Sequence, residues 1–474
     1  ASAGTLALEK DYIMAQVISE PGNPNLETNP HTAWNMVDLT ENDKTAYIQS
    51  LDGKYGFRVK MDSADDATAL PRYATVKLSL AGLTMEREEN PARYTLRGFT
   101  PINVLECEPG NASMLPVKEK YIKDLTDDDM YTYVTFKDME VAFRYGAWGN
   151  HHESFALKSD VIPTGNATQT RNDCMPRYFR DSKGGTIPMV INAQVPWRRP
   201  GSYVPKGSGT IKGIVVYSPL SNYNKNNEMG RYQFRVLDKS EINLDANTSS
   251  FSNIIAEWQW TGGSSTIMVD GSSDRVINAN LGKGQMSTSA KPEGTLKSLT
   301  TSFLYKAFPA TSTSEYLAFR YNAKWWNFTK NEGHNVSWTF STEGITGTDR
   351  HLSFAMVASI GKQGQPNNGS PARWNLEYST DGENFTVLKK DFYLYPSPIF
   401  AYTLGDIPAG NPEYVFDLPD SLLGQKSVTV RIKATSRKFA TSAGIEAGTI
   451  TNGNATTDVA TYLRFESIVI RYNK

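Results

Sequence analysis

Flat aromatic side chains are the residues of this sequence whose type and spacing best suit ligand binding. Tyr321, Trp325 and Trp326 lie close together in the segment 321–328. Neighbouring side chains of an extended strand point to opposite faces, so one of the two tryptophans is expected to face away from the core. An exposed ring can bury the apolar face of a sugar while nearby polar groups bind its hydroxyls. These three residues are the predicted ligand platform, and core packing at a sheet end is the alternative.

Two further aromatic clusters are secondary candidates. Trp258 and Trp260 share one face of an extended segment, and core is favoured over cleft for that face. Trp197, Arg198 and Arg199 could offer a ring and two guanidinium groups to an acidic glycan or an oligonucleotide. The favoured alternative for this second cluster is a solvated or inter-domain group of arginines, because the chain has 49 Lys plus Arg against 50 Asp plus Glu.

Motifs for metal binding and catalysis give weaker signals. Adjacent His151 and His152, followed by Glu153, would diverge on a strand and could not readily hold one ion. The run Asp127 to Asp129 lacks the alternating ligands and the glycine of a calcium loop, so we expect a solvated turn there. No nucleophile elbow, zinc motif or phosphate loop is present in the sequence. We therefore predict no catalytic residues; a glycosidase or lyase with an unrecognised carboxylate pair is the less favoured alternative.

Composition limits the partners and the location. The near-zero net charge argues against nucleic acid. Cys107 and Cys174 form neither a disulfide framework nor a metal-binding quartet, and pairing or two buried thiols are both open. No apolar run is long enough to span a membrane, so we expect membrane attachment only through a lipid anchor upstream of residue 1. Richness in Asn, Thr, Ser, Gly and Tyr favours an extracellular location.

A degenerate repeat organises the first half of the chain. Glycine turns at 52–53 and 183–185 each lead into an apolar strand, and the segment 93–97 has a counterpart at 231–235. Four or five short strands per copy suit a small β-barrel of the OB type, which hides its sheet edges by closing on itself. A polar junction at 245–250 ends the second copy.

The strands after the junction have a different spacing and predict a β-sandwich. Trp338 and Trp374 alternate with polar neighbours and are expected in its core. The predicted fold is therefore all-β, with two tandem OB-like barrels followed by a jelly-roll sandwich. The expected divisions are a lead segment (1–28), a first barrel (29–115), a second barrel (116–245) and the sandwich (246–474).

Two stretches of the chain resemble known families. The segments 178–181, 197–201 and 205–216, with Pro-Lys-Gly-Ser-Gly-Thr-Ile as the most specific run, resemble a family of tandem OB-like domains in secreted proteins of Bacteroidetes. The hairpin 373–385 and the closing strand 463–470 resemble jelly-roll carbohydrate-binding modules and discoidin-like domains. The first resemblance implies a surface lipoprotein of the cell-adhesion type, without a defined activity. The second implies a sandwich in which a structural calcium ion is possible, although no ligands for it can be identified.

These observations together predict a non-catalytic binding protein at the outer-membrane surface. Its expected ligand is a glycan, bound weakly through the C-terminal sandwich. The alternative is an adhesion or structural protein whose partner is a cell-surface protein. No cofactor is expected.

Overall fold

The fold is that of a computed structural model. It describes residues 4–8, 10–26, 29–30, 37–38, 41–143, 148, 161–164, 167–170, 177–192, 195–197, 204–217, 230–251, 253–259, 276–288, 300–303, 317–322, 335–360, 371–394, 413–436, 438–440, 446–447 and 462–473. Strands and short 3-10 turns make up the regular structure of these residues, and the predicted all-β class is confirmed. Within the same ranges there is no helix with the length and apolar character needed to cross a bilayer.

Residues 4–108 form the first sheet and a small hairpin. The strands are β1 (Gly4–Ala7), β2 (Tyr12–Val17), β3 (Asn29–Pro30), β4 (Val37–Asp38), β5 (Thr45–Ser50), β6 (Gly56–Met61), β7 (Thr75–Ser79), β8 (Thr84–Glu88), β9 (Arg93–Phe99) and β10 (Val104–Glu108). Eight of them form one sheet in the order β1-β8-β9-β6-β5-β2-β7-β10, while β3 pairs with β4. The segment 1–28, expected as a lead, supplies β1 and β2 to this sheet, because Ala15 and Val17 point into the core.

Residues 119–245 form the second sheet, of seven strands, and a separate two-stranded sheet (161–164 with 167–170). The strands are β11 (Glu119–Lys120), β12 (Tyr133–Val141), β13 (Val161–Thr164), β14 (Ala167–Thr170), β15 (Arg177–Arg180), β16 (Thr186–Met189), β17 (Ser208–Val216), β18 (Gln233–Arg235) and β19 (Ile242–Asp245). Pairings run from β12 to β15, β16, β18 and β17 and return to β12, so five strands close a small barrel. This is the strand number of an OB barrel, and closure removes the exposed sheet edges.

The two copies of the sequence repeat share the same order of paired strands. In the first sheet β2, β5, β6 and β9 follow one another, and β6 runs parallel to β9. In the second barrel β12, β15, β16 and β18 follow the same order, and β16 runs parallel to β18. Only the second copy closes, because β17 pairs with both β18 and β12. In the first copy no pairing among the described strands closes a ring, so the predicted closed barrel is not seen there; residues 4–108 are called the first barrel because their strand order is similar to that of the second. Glycine turns precede β6 and β16, as the sequence predicted, and Gly53 and Gly184 have positive φ angles.

The remaining strands form two facing sheets of a sandwich and a separate two-stranded sheet (Phe439–Ala440 with Glu446–Ala447). They are β20 (Asn253–Gln259), β21 (Ile277–Asn278), β22 (Leu281–Gly282), β23 (Gly284–Thr288), β24 (Thr300–Phe303), β25 (Leu317–Asn322), β26 (Asn335–Phe340), β27 (Leu352–Ile360), β28 (Arg373–Ser379), β29 (Thr386–Tyr393), β30 (Glu413–Leu418), β31 (Val428–Ala434), β32 (Phe439–Ala440), β33 (Glu446–Ala447) and β34 (Tyr462–Tyr472). The long β34 pairs with β20, β25 and β27 in one sheet, and β26, β31 and β28 are adjacent in the other. Trp338 and Trp374 are buried in the core between them, as predicted.

Eight 3-10 turns link the strands among the described residues. They are Asn42–Lys44, Asp65–Ala69, Pro101–Asn103, Ala112–Met114, Ile122–Asp124, Asp127–Asp129, Lys239–Glu241 and Asp420–Leu422. The turn at Asp127–Asp129 lies between β11 and β12 of the second sheet and borders the site described below.

Polar contacts fasten the first barrel to the second. Arg72 of the first forms an ion pair with Glu241 of the second, and the hydroxyl of Tyr133 donates to the same carboxylate at 2.9 Å. The side-chain amide of Asn25 donates to the carbonyl of Val236 at 2.8 Å. Because these groups are buried or half-buried, the contacts are protected from water and hold the two barrels together.

A buried interface also joins the second barrel to the sandwich. Its apolar part brings Ala142, Phe143 and Tyr178 against Ala355, Val357 and Val469, all of them buried. Arg177 and Glu413 form an ion pair of 3.2 Å across it, and both side chains are almost completely buried. A second buried pair joins Glu140 to Arg471 at 3.3 Å. The sandwich is therefore packed on the barrel.

The junction 245–250 is attached to the second barrel. The carboxylate of Glu140 accepts hydrogen bonds from the hydroxyl of Ser249 and from the backbone N–H groups of Ser250 and Phe251, at 2.8 to 2.9 Å. Since the same carboxylate faces Arg471, the chain is held in place where it leaves the barrel. The segment has the composition of a linker but is a bonded part of the interface.

Candidate functional site

Three side chains form a row across neighbouring strands of the first barrel. Phe57 of β6 lies opposite Tyr94 of the parallel strand β9, because the register pairs Arg58 with Thr95. Tyr94 in turn pairs with Arg87 of the antiparallel strand β8. The rings of Phe57 and Tyr94 have centroids 6.1 Å apart and are inclined by 55°. The two rings therefore form an angled cradle.

Strand alternation explains why this row is accessible. Side chains two positions apart share a face, so the row lies on the same face as Val59 and Leu96, which are buried in the core of the first barrel. Phe57, Tyr94 and Arg87 are each half-buried. The row thus lies where the apolar face of the sheet reaches the surface.

The turn Asp127–Asp129 and Met130 form the opposite wall. Gly56 allows this approach, because a Cβ atom there would lie 2.1 Å from the carbonyl oxygen of Tyr131. The Asp127 carboxylate accepts bonds from the backbone N–H of Ala92 at 2.9 Å and from the guanidinium of Arg231 at 2.6 and 2.9 Å. The expected solvated turn is therefore wrong for Asp127, and also for Asp129, which is 1% exposed and paired with two lysines.

The row and the turn enclose an open cleft of about 320 Å³. This volume is near the lower end of the range of about 300 to 1,000 Å³ for small-molecule sites. The walls combine aromatic, apolar and charged groups. The lining residues are Tyr55, Gly56, Phe57, Met85, Arg87, Ala92, Tyr94, Asp127, Asp128 and Met130. Tyr55 stands at the rim with 55% of its surface exposed.

Two of the charged side chains in the cleft have ion-pair partners, and the third has none among the described residues. Arg87 faces Glu89 at 3.1 Å, and its guanidinium carbon lies 5.6 Å from the ring centroid of Tyr94. Burial alone raises the pKa of Asp127, but the hydrogen bonds from Arg231, Ala92 and Tyr232 outweigh it and hold that pKa below its ordinary value. Asp128 is exposed and has no hydrogen bond or ion pair to the described residues. The cleft can thus offer aromatic faces, a guanidinium and one uncommitted carboxylate.

The predicted sandwich platform falls mostly outside the described residues. Tyr321 belongs to β25, of which the backbone is described, and Trp325 and Trp326 lie outside the described ranges. Trp260, Arg198 and Arg199 lie outside them too. The aromatic platform Tyr321, Trp325 and Trp326 stays a prediction.

Two secondary candidates have structural positions. Trp258 is fully buried in the sandwich core and its indole N–H donates to the carbonyl of Ile277 at 3.0 Å, so its ring is not available to a ligand. Trp197 packs edge-on against Trp148, with centroids 5.9 Å apart, beside the core of the second barrel. Both rings contribute to packing, because each lies against a hydrophobic core.

The described residues contain no candidate metal site. No group of three His, Cys, Asp or Glu side chains there is close enough to hold an ion. The segment 151–153 lies outside these residues, as does Cys174, while Cys107 is exposed on β10.

Comparisons with known proteins leave the family open. No protein-family model matches the chain, and no curated protein matches it. Among solved structures it is similar to the enzymatically active domain of tailspike protein 4 of bacteriophage CBA120, with 10% identity and a TM-score of 0.17 over 45% of this chain. The match spans 21% of the tailspike chain. The ANX2 ectodomain from Arabidopsis thaliana gives 8% identity and a TM-score of 0.20, over 100% of this chain and 81% of that one. Likeness this low carries no argument about fold or function.

The cleft residues were missed in the sequence because they lie far apart along the chain. Phe57, Tyr94 and Asp128 meet through a parallel strand pairing and through the contact between the barrels. A signal was present, since Tyr94 lies in the repeated segment 93–97 and Asp128 in the acidic run 127–129. Neither segment indicated a partner for the other.

Proposed function

We propose that this protein binds carbohydrate without transforming it, and that the cleft of the first barrel is a binding site. The observation that carries the proposal is the cradle of Phe57 and Tyr94, with Tyr55 at the rim and charged groups on both walls. The apolar face of a pyranose packs on an aromatic ring, and its hydroxyls bond to guanidinium and carboxylate groups. A volume of about 320 Å³ suits a mono- or disaccharide unit.

The state of Asp127 supports binding over hydrolysis. A glycosidase needs two carboxyl groups free to act, one of them protonated. Asp127 and Asp128 are adjacent in the cleft, but both oxygens of Asp127 accept bonds from Arg231. Its lowered pKa favours the ionised form, so it is unsuited to donate a proton. This leaves Asp128 alone among the lining acids.

The proposal keeps the wider setting expected from the sequence. An extracellular position at the outer-membrane surface suits a chain of packed β domains that displays a shallow ligand site. The predicted sandwich platform at Tyr321, Trp325 and Trp326 would add a second, weak contact to the same glycan. Two weak sites on one chain raise the overall affinity through effective concentration.

Adhesion to a protein is the second candidate function. It is favoured by exposed apolar side chains on the first barrel, among them Ile102 at 86% and Tyr12 at 60% exposure. A contiguous exposed apolar patch marks a protein contact, whereas single exposed apolar side chains are common on protein surfaces. Mutations can distinguish binding at the exposed barrel surface from binding in the cleft.

A glycan array probed with the intact chain tests the proposal. The Tyr94→Ala variant is expected to weaken binding at least about ten-fold, because it removes one wall of the cradle. Tyr12→Ala is the matched control, since it removes an exposed tyrosine from β2. A Trp325→Ala, Trp326→Ala double variant measures the sandwich platform in the same experiment.

Each outcome decides between the candidates. Loss of binding with Tyr94→Ala and its retention with Tyr12→Ala assigns the sugar to the cleft. Loss with the tryptophan variant alone assigns it to the sandwich. An intact chain that binds no glycan on the array overturns the proposal in favour of adhesion. Circular dichroism and thermal unfolding of every variant establish that the fold is retained.

A further inference from the structure

The Asp128 carboxylate affects which sugars the cleft binds. Three charged side chains line the cleft: Arg87, Asp127 and Asp128. Arg87 faces Glu89 and Asp127 is bound by Arg231, so each of these two charges is balanced by a neighbour. Asp128 has no such partner among the described residues. The cleft therefore presents one unbalanced negative charge to a ligand.

The aromatic residues strengthen the same preference. Tyrosine and phenylalanine rings have negative faces, and they attract a cation that lies within about 6 Å of the ring centre. The cleft brings Tyr55, Phe57 and Tyr94 together with Asp128. Arg87 already occupies the position near Tyr94, which shows that this ring accepts a cation.

We propose that the cleft prefers saccharides with a free amino group over neutral ones, with Asp128 as the residue that sets this specificity. The inference rests on the proposed carbohydrate binding at the same cleft. The ammonium group of a deacetylated amino sugar would form a charge-assisted bond with Asp128, while its ring packs on the cradle. An acetamido N–H or a hydroxyl can also donate to this carboxylate, but a neutral sugar lacks the attraction between two opposite charges.

Three β1,4-linked disaccharides provide the test. Glucosamine disaccharide, its di-N-acetylated form and cellobiose differ in the group at carbon 2 and share the linkage. With the full chain, calorimetry at neutral pH is expected to show binding of the amino form at least about ten-fold tighter than the other two. The advantage should shrink as salt increases, because salt screens exposed charges.

Asp128→Asn is the variant that isolates the carboxylate. It is expected to bind all three disaccharides with affinities within about three-fold of one another, since the amide keeps the shape and loses the charge. Asp62→Asn is the matched control: it neutralises an exposed acid that follows β6 at the end remote from Gly56. This control should preserve the preference for the amino form.

The outcomes separate the specificity from the proposed function. Equal affinity of the intact chain for amino and neutral sugars overturns the role of Asp128 and leaves carbohydrate binding in place. A preference that survives Asp128→Asn also overturns it. Failure of all three disaccharides to bind overturns the amino-sugar inference, and the glycan array then decides separately whether any carbohydrate is a ligand.

Discussion

Asp127 and Arg231 form a two-pronged ion pair, with Nη2 of the arginine 2.6 Å from Oδ2 and Nε 2.9 Å from Oδ1 of the carboxylate. Asp127 precedes β12 in the chain, and Arg231 precedes β18. The same carboxylate accepts the backbone N–H of Ala92 in the first barrel. One side chain thus fixes the wall of the cleft to both barrels.

Replacing this carboxylate should weaken both the fold and the site. Asp127→Asn removes the charge that Arg231 binds; because the arginine side chain is 44% exposed, water screens this pair, and its loss costs about 1 kcal/mol. We expect the free energy of unfolding, measured by urea denaturation, to fall by about that amount. Asp128→Asn is the control, with an expected change of about 0.5 kcal/mol or less because its side chain is exposed. Equal losses in the two variants would contradict the role given to Asp127.

Gly56 should tolerate no side chain. A Cβ atom at this position would lie 2.1 Å from the carbonyl oxygen of Tyr131, so Gly56→Ala must move the turn away from the first barrel. We expect a loss of about 1 to 3 kcal/mol in unfolding free energy, the usual cost of overpacking. Gly4→Ala serves as the control, because a Cβ there meets nothing within 4 Å. If both alanine variants unfold at the urea concentration of the parent, the close approach at Gly56 is wrong.

Glu413 should give the protein a stability that depends on pH near neutrality. Burial raises its pKa from 4.5 to about 7, although Arg177 and the backbone N–H of Tyr178 act in the opposite direction. The folded state therefore holds its proton more tightly than the unfolded state. The contribution is fully present below about pH 4.5 and is lost as the pH rises through about 7.

Glu413→Gln reveals this contribution. The parent's advantage over the variant in unfolding free energy should decrease between pH 4.5 and pH 7, because the glutamine does not titrate. Urea denaturation at several pH values measures the difference. Glu383→Gln, at an exposed position in the same sandwich, is the control variant. If the difference in unfolding free energy between the parent and Glu413→Gln does not change with pH, Glu413 does not make this pH-dependent contribution.

Asp129 should act in the acid range with the opposite sign. Burial favours its protonated form, but hydrogen bonds from Lys118, Lys120 and the backbone of Thr126 dominate and lower its pKa below 3.8. Its stabilisation is present above pH 3.8 and is lost as the pH falls through the folded pKa. Acid unfolding of Asp129→Asn should therefore be less steep below pH 3.8 than that of the parent. If the parent and Asp129→Asn unfold identically in acid, the lysine contacts do not stabilise the fold.

The sequence predicted the strands and their buried faces better than the tertiary contacts between strands. Alternation placed Trp338 and Trp374 in the core correctly, since the pattern of one strand determines which face is buried. The all-β class followed from the same local signal. The cleft depends on a parallel pairing between β6 and β9, which no local pattern encodes. Asp127 shows the same limit, because its partner Arg231 lies 104 residues away.

The position of β34 has a consequence for how the sandwich is made. This strand follows its partners β20, β25 and β27 in the chain and lies between them in the sheet. During synthesis those strands emerge first, and their edges stay open until the residues after 462 have left the ribosome. Pairings over such long sequence separations form slowly, so a nascent chain stopped before β34 would expose several unpaired edges and would be prone to aggregate.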